Sequence, residues 1–135
     1  MVLILWLEEA DKKLAIAKHL ISHEFLEDAC FFAHQAAEFA LNALAEHFRK
    51  RYKLRPTIRR YVLEENLKKF SEIVNINEVL KDAQYLDCIQ DAYYPHHLIS
   101  GENEKKVITM YEADKATEAA EKIIDWVRKI VIEEM

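Results

Sequence analysis

Apolar residues recur at every third or fourth position through most of the chain, which is the spacing of one buried face of an α-helix. The pattern predicts five helices, at about residues 3–22, 25–51, 57–71, 75–94 and 109–130. Pro56 and Pro95 follow the second and the fourth helix, where a proline blocks helix continuation. We therefore expect antiparallel helices that are joined mostly by short turns.

Two of the predicted helix starts carry the sequence of a capping box. Asn75 with Glu78 marks the start of the fourth helix, and Thr109 with Glu112 marks the start of the fifth. The second helix is rich in alanine, whose small side chain lets another helix approach closely, so we expect this helix to be central. Its alanines are Ala29, Ala33, Ala36, Ala37, Ala40, Ala43 and Ala45.

The composition supports helices and argues against a many-stranded sheet. Among 135 residues there are one glycine and two prolines, whereas 51% are apolar and 32% are charged. Many short strands would need more turn-forming residues than this. The length suits one domain with a sizeable core. The sequence therefore predicts an all-α protein, a four- to five-helix up-and-down bundle that forms a single domain over residues 1–135.

Positive charge is concentrated after the second helix, although the formal net charge of the chain is −5. Seven lysines and arginines, and no acid, lie between positions 49 and 60. They could form a solvated helix end whose cations favour the helix dipole, or a patch that faces a phosphate or an acidic partner. The candidate arginines of such a patch are Arg49, Arg51, Arg55, Arg59 and Arg60.

A row of polar side chains runs along the alanine-rich second helix. His34, Glu38 and Asn42 are spaced four residues apart, and Gln35 is three residues before Glu38. The row could be a solvated face. However, residues 19–48 contain no lysine or arginine, and a fully exposed helix face usually has some. The row therefore favours a polar cleft over bulk water.

The N-terminal segment and the cysteines indicate a cytoplasmic protein. MVLILWL is too short to span a bilayer and lacks the features of a signal peptide, so we expect it to pack on the core or on a partner subunit. Cys30 and Cys88 are expected to be reduced, half-buried packing residues. His19 and His23 have a spacing that can bind zinc, but no third ligand is evident, and no metal is expected.

Several of these segments resemble the HEPN domain family. The second helix of that family contains a segment close to A-x-F-x-x-Q-Q-A-x-E-K-x-L-K-A-L; here Ala29-Cys30-Phe31 corresponds to A-x-F, and HQAAE (residues 34–38) corresponds to Q-Q-A-x-E. Leu86-Asp87 and Tyr94-Pro95 are similar to a leucine-aspartate-tyrosine helix end followed by R-Y-P. The resemblance covers almost the whole chain in helix order and length.

The resemblance implies a helical bundle, usually a homodimer, that binds a nucleotide or RNA and often works with a separately encoded minimal nucleotidyltransferase. Many HEPN proteins are ribonuclease toxins that use an arginine followed four to six residues later by a histidine. Here Tyr93 replaces the arginine of R-Y-P, and none of the six histidines has an arginine four to six residues before it. Phe39 and Asn42 replace the two lysines of the second-helix segment.

The resulting hypothesis is a nucleotide- or RNA-binding HEPN subunit of a toxin–antitoxin type system, without the usual Arg–His ribonuclease motif and without a cofactor of its own. The nucleotidyltransferase partner would supply metal and chemistry. Tyr93 and Tyr94 would stack on a base, and Gln35 and Glu38 would make polar contacts with the ligand.

Two alternatives stay open. The first is a metal-independent endoribonuclease toxin in which His96 or His97 acts as general acid or base, while an arginine of the basic run replaces the missing one. The second is a homodimeric assembly module, in which MVLILWL and the alanine-rich face make the dimer contacts. Apart from any ligand contact, residues 90–100 (QDAYYPHHLIS) are interpreted as the end of a helix.

Overall fold

Five α-helices make up the described part of the chain. This computed structural model describes residues 2–52, 62–93 and 107–133. The helices are α1 (Val2–Ser22), α2 (Leu26–Tyr52), α3 (Leu63–Lys68), α4 (Asn77–Tyr93) and α5 (Met110–Glu133). No strand occurs within these residues. The predicted all-α helical bundle is confirmed.

A tight turn between α1 and α2 makes these two helices antiparallel neighbours. Glu24 has a φ of 63°, the left-handed conformation that ends a helix, which is unfavourable by about 1–2 kcal/mol for a residue with a Cβ atom. The N–H groups of Glu24 and Phe25 donate to the carbonyl oxygens of Ile21 and Leu20, both at 2.9 Å. These bonds satisfy the last carbonyls of α1 and return the chain along it.

Two ion pairs show the direction of α5 relative to α1. Arg128 Nη2 lies 2.6 Å from Asp11 Oδ2, and Lys18 Nζ lies 3.2 Å from Glu121 Oε1. The later residue of α1 pairs with the earlier residue of α5, so the two helices are antiparallel. Both pairs are solvent-exposed, so they contribute little to the free energy of unfolding.

Contacts of α4 with α5 complete the up-and-down arrangement. The Tyr85 hydroxyl donates to the Glu112 carbonyl at 3.3 Å, and Lys122 Nζ lies 4.0 Å from Asp82 Oδ1. The order of these contacts makes α4 antiparallel to α5. Since α2 and α5 both run opposite to α1, α4 also runs opposite to α2.

The α2 helix is the centre of the bundle, as its alanine content predicted. It contacts α1, α3, α4 and α5, and all seven of its alanines are at most 4% exposed. Leu41, Leu44 and Phe48 on the same helix are also buried, and each contributes about 1.5–3 kcal/mol by leaving water. The small alanines bring the other helices close, and the large side chains fill the remaining core.

The capping box at Thr109 is confirmed by its hydrogen bonds. The Thr109 hydroxyl accepts the Glu112 N–H at 3.1 Å, and the Glu112 carboxylate accepts the Thr109 N–H at 3.1 Å. The second predicted box differs from the prediction. The Asn75 side chain accepts the N–H of Asn77 at 3.0 Å instead of that of Glu78, because α4 begins at Asn77.

The α3 helix is shorter than predicted. It ends at Lys68, and turns follow instead of a helix that continues to Ser71. Phe70 is buried with its ring centroid 6.2 Å from that of Phe48 on α2, so tertiary packing of this ring takes precedence over helix continuation. The predicted start at Thr57 lies outside the described residues.

The N-terminal segment is partly buried and partly exposed. Leu3, Trp6 and Leu7 pack against the core, whereas Leu5 is 59% exposed and Ile4 47% exposed. The helices of the described part include none with the length and apolar composition that would cross a membrane.

The two cysteines have different environments, which corrects the prediction that both are half-buried. Cys30 is buried, and burial raises the pKa of its thiol to about 12, so the thiol stays protonated near neutral pH. Cys88 on α4 is exposed.

Candidate functional site

The polar row of α2 is anchored by His34, which is 1% exposed. Each nitrogen of its imidazole ring lies at hydrogen-bond distance from a carboxylate. Nδ1 is 2.8 Å from Glu38 Oε1, one turn later on α2, and Nε2 is 2.9 Å from Asp87 Oδ1 on α4. We call His34, Glu38 and Asp87 the carboxylate–histidine cluster. The cluster joins α2 to α4 inside the bundle.

Asp87 also caps the start of α3. Its Oδ1 accepts the N–H of Leu63 at 2.8 Å, and its Oδ2 accepts the N–H of Glu64 at 2.9 Å. The first N–H groups of a helix have no partner within the helix. The residue before α3, Val62, makes no side-chain cap, so a carboxylate from another helix takes that role. Asp87 therefore connects α2, α3 and α4.

The bonding pattern defines the protonation state of His34. An ionised carboxylate has only acceptors, and an imidazole ring has two N–H groups only when it is positively charged. Asp87 also accepts two backbone N–H groups. Burial alone would lower the pKa of His34, but the hydrogen bonds to Asp87 and Glu38 outweigh burial and raise its pKa above 6.5. The two carboxylate partners therefore favour the imidazolium form of the ring.

The structure brings some of the predicted site residues together. Glu38 belongs to the cluster, and Gln35, which follows His34, is half-buried beside it. Asn42, a further member of the polar row, is 8% exposed. The predicted row therefore lies largely inside the bundle rather than on a solvated face.

Tyr93 lies at a different height of the bundle from Glu38. It is the last residue of α4, six residues after Asp87, so its backbone is about 9 Å further along that helix. Asp87 and His34 lie at the same level of the bundle. Because α4 is antiparallel to α2, Glu38 lies about 6 Å from that level in the direction opposite to Tyr93. Tyr94, His96 and His97 lie outside the described residues.

Arg49, the first residue of the basic run, is distant from the cluster. Arg49 is exposed, with its Nε 3.5 Å from Glu46 Oε1, and it lies about 22 Å along α2 from His34. Arg51 belongs to the last turn of α2, whereas Arg55, Arg59 and Arg60 lie outside the described residues.

A groove lies elsewhere in the described part of the chain. A groove between α4 and α5 is lined by both charges and one indole, including Glu78, Asp82, Lys122 and Trp126. Gln35 and Glu38 do not line it. Within residues 2–52, 62–93 and 107–133, no group of three or more His, Cys, Asp and Glu side chains has the geometry to hold a metal ion.

Asp87 is the residue that the sequence pattern missed. The i, i+4 spacing of His34 and Glu38 is visible in the sequence, whereas Asp87 is 53 positions after His34. It stood out only as part of a Leu-Asp pair near a helix end, and no role followed from that pair. The signal that could have indicated it was a histidine that needs a second acceptor, within a helical stretch (residues 19–48) that has no lysine or arginine.

Comparison with known proteins identifies the class of this bundle. The HEPN domain family matches residues 4–130, and the chain therefore belongs to the HEPN domain family. The predicted resemblance is confirmed. No functionally curated protein matches the chain.

Three solved structures share the fold over nearly their whole length. An archaeal HEPN homologue (ST0689) has a TM-score of 0.72 at 22% identity, with 96% of this chain and 97% of that chain covered. The protein TT1696 from Thermus thermophilus has a TM-score of 0.77 at 26% identity, covering 94% and 96%. A HEPN domain protein from Thermotoga maritima has a TM-score of 0.66 at 27% identity, covering 93% and 95%.

Proposed function

We propose that this HEPN chain is a nucleotide- or RNA-binding subunit that acts with a minimal nucleotidyltransferase in a toxin–antitoxin type system. The observation that carries the proposal is the polar row of α2, which is fixed by the carboxylate–histidine cluster instead of being spread over a solvated face. A row that is held in place loses little conformational entropy when it binds a ligand. Membership of the HEPN family supports the same class of ligand.

The ligand would contact both the polar row and the end of α4. Gln35 and Glu38 would supply an amide and a carboxylate, and Tyr93 and Tyr94 would supply stacking surfaces for bases. The height difference between Glu38 and Tyr93 along the bundle is about 15 Å, from the rise of the two helices. A ligand that reaches both is longer than one base, which favours RNA or a dinucleotide over a mononucleotide.

We infer that this subunit does not itself cleave RNA. No histidine in the chain follows an arginine by four to six residues. His34 has both ring nitrogens bonded to carboxylates, so its imidazolium has no accessible nitrogen with which to accept a proton from a 2′-hydroxyl. Metal and chemistry would come from the nucleotidyltransferase. The basic run around Arg49 would face a phosphate or an acidic surface of that partner.

Titration calorimetry with a short single-stranded RNA tests the proposal. We expect micromolar to millimolar binding by the native chain, and a loss of about tenfold in Tyr93→Ala, since one stacked base contributes about 1–3 kcal/mol. Tyr111→Ala is the matched control, because Tyr111 is a helical tyrosine that is 71% exposed. Absence of binding at millimolar RNA, with and without a nucleotidyltransferase partner, would exclude this function.

We also propose that the chain is a homodimer. Support comes from exposed apolar side chains at one end of the bundle, where Val2, Ile4 and Leu5 of α1 are 47–59% exposed and Ile132 of α5 is 62% exposed. Contiguous exposed apolar residues are typical of interfaces. Light scattering should give twice the chain mass, and Leu5→Glu should reduce it to one chain mass. A native monomer at high concentration contradicts this proposal.

A further inference from the structure

Two exposed histidines lie side by side at the end of α1 and take no part in the carboxylate–histidine cluster. His19 belongs to the last turn of α1, and His23 follows in the turn that leads to α2. The centroids of their imidazole rings are 4.7 Å apart, and the ring planes make an angle of 62°. The sequence showed only a spacing that suits zinc, whereas the structure gives the separation of the two rings.

This separation matches that of two imidazoles that share one metal ion. A metal–nitrogen bond is about 2.0–2.1 Å long and the ring centre lies about 1.2 Å behind the bonding nitrogen, so the metal is about 3.2 Å from each ring centre. Two such ligands at the usual coordination angles of about 90–110° have centroids about 4.5–5.2 Å apart. The observed 4.7 Å falls within this range. Little movement of either side chain is therefore needed to bring one nitrogen of each ring to a shared ion.

The backbone holds the two histidines in this relation. The carbonyl oxygen of His19 accepts a hydrogen bond from the Ser22 hydroxyl at 2.6 Å, which closes the last turn of α1. The N–H of His23 donates to the carbonyl oxygen of Leu20 at 3.2 Å. Because these bonds fix both residues before an ion arrives, binding costs little backbone entropy.

The ring nitrogens of this pair are available to a ligand, in contrast to those of His34. Both nitrogens of His34 lie at hydrogen-bond distance from carboxylates. Within residues 2–52, 62–93 and 107–133, neither His19 nor His23 forms a side-chain hydrogen bond or an ion pair. Both residues are exposed, so an ion and the water molecules that it carries can reach them.

The local charges favour a cation at this place. The free carbonyl groups at the C-terminal end of a helix carry partial negative charge, and His19 lies at that end of α1. Glu24, which follows His23, adds an exposed carboxylate. Lys18 is the cation next to His19 in the sequence, but its amine lies 3.2 Å from Glu121 Oε1 on α5. A carboxylate therefore offsets the positive charge of Lys18.

We propose that His19 and His23 form a binding site for one divalent transition-metal ion, Zn²⁺, Ni²⁺ or Cu²⁺, in which water fills the remaining coordination positions. Imidazole nitrogen is a good ligand for these ions, whereas Mg²⁺ and Ca²⁺ prefer oxygen. Affinity should be highest for Cu²⁺. Two protein ligands agree with the finding that no group of three or more such side chains in the described part of the chain could hold a metal ion. The site requires neither RNA nor a partner protein, so it is independent of the proposed function.

Nitrogen NMR of the imidazole rings tests the site directly. On addition of Zn²⁺, we expect one ring nitrogen of His19 and one of His23 to shift together and to saturate at the same concentration of the ion. Mg²⁺ at that concentration should leave both rings unchanged. No shift with Zn²⁺, a shift of only one of the two rings, or equal shifts with Mg²⁺ overturns the proposal.

Titration calorimetry with Ni²⁺ measures the contribution of each ligand. The full chain carries His96→Gln and His97→Gln in this experiment, so that those neighbouring histidines do not contribute. In this background, His19→Gln or His23→Gln should weaken Ni²⁺ binding by at least about tenfold, because the second imidazole binds the ion intramolecularly. His47→Gln is the matched control, because His47 lies on α2 outside the pair, and it should retain the affinity. Undiminished affinity in His19→Gln or His23→Gln, or an equal loss in His47→Gln, contradicts the proposal.

Discussion

Replacement of Asp87 by alanine should destabilise the bundle far more than loss of one ordinary surface acid. The change removes the acceptor for the N–H groups of Leu63 and Glu64 and one of the two carboxylates that neutralise His34. It breaks the connection of α3 to α4 and of α4 to α2 in one step. All other contacts of the core stay in place.

The magnitude follows from the separate contributions. Loss of a helix N-cap lowers the free energy of unfolding by about 0.5–2 kcal/mol. Removal of one partner from a fully buried ion pair costs about 3–5 kcal/mol. The Asp87 side chain is 16% exposed and Glu38 still bonds the ring, so water and Glu38 reduce the second contribution to about 2 kcal/mol. The expected total is about 3 kcal/mol.

Urea unfolding followed by far-ultraviolet circular dichroism at about pH 6, below the pKa of His34, measures this loss. Asp91→Ala is the matched control, because Asp91 is an exposed acid one turn later on α4, and its loss should stay within about 0.5 kcal/mol. Asp87→Asn should fall between the two, since it keeps one acceptor oxygen but places an amide N–H₂ near a backbone N–H. Equal effects of Asp87→Ala and Asp91→Ala would refute the role of the cluster in stability.

Three further perturbations test other parts of the structure. Thr109→Ala should lower the free energy of unfolding by about 1 kcal/mol through loss of the capping box, whereas Thr109→Ser, measured by the same urea unfolding, should retain most of it. Ala37→Leu should lower the free energy of unfolding by about 1–3 kcal/mol, because it overpacks the centre of the bundle. Ala15→Leu is the control at an exposed site, and an equally small loss of stability in both variants would contradict the packing of α2. The pKa of His34 is raised on folding, so its contribution to the free energy of unfolding is complete below about pH 6.5 and is lost as pH rises through the folded pKa. His34→Gln should abolish this alkaline loss of stability in urea unfolding curves. An unchanged pH profile in His34→Gln would exclude His34 as its source.

Local signals in the sequence predicted the helices well. The bonds of Thr109 and Glu112 depend on residues three apart, and the alanine pattern of α2 reports how closely its neighbours approach, so both were visible without a structure. The end of α3 was not, because burial of Phe70 against Phe48 is a tertiary event that outweighs local helix propensity.

Only part of the candidate site could be predicted from the sequence, for the same reason. The pairing of His34 with Glu38 follows from helix spacing, but its second acceptor, Asp87, depends on the way that α4 packs on α2. The cap that Asp87 provides to Leu63 joins two helices across 24 positions of the chain, and no local sequence rule predicts such a contact. The identity of the ligand depends on surfaces that spacing alone does not define.

An amide chemical-shift map of the ¹⁵N-labelled chain with a short single-stranded RNA is the most direct test of where this HEPN domain binds. Shifts should be largest around Gln35 and Glu38 on α2 and at Tyr93 on α4, and they should be clearly smaller in Tyr93→Ala at the same RNA concentration. Shifts confined to the groove between α4 and α5 near Trp126, or no shifts at millimolar RNA, would contradict a nucleotide-binding face on the polar side of α2.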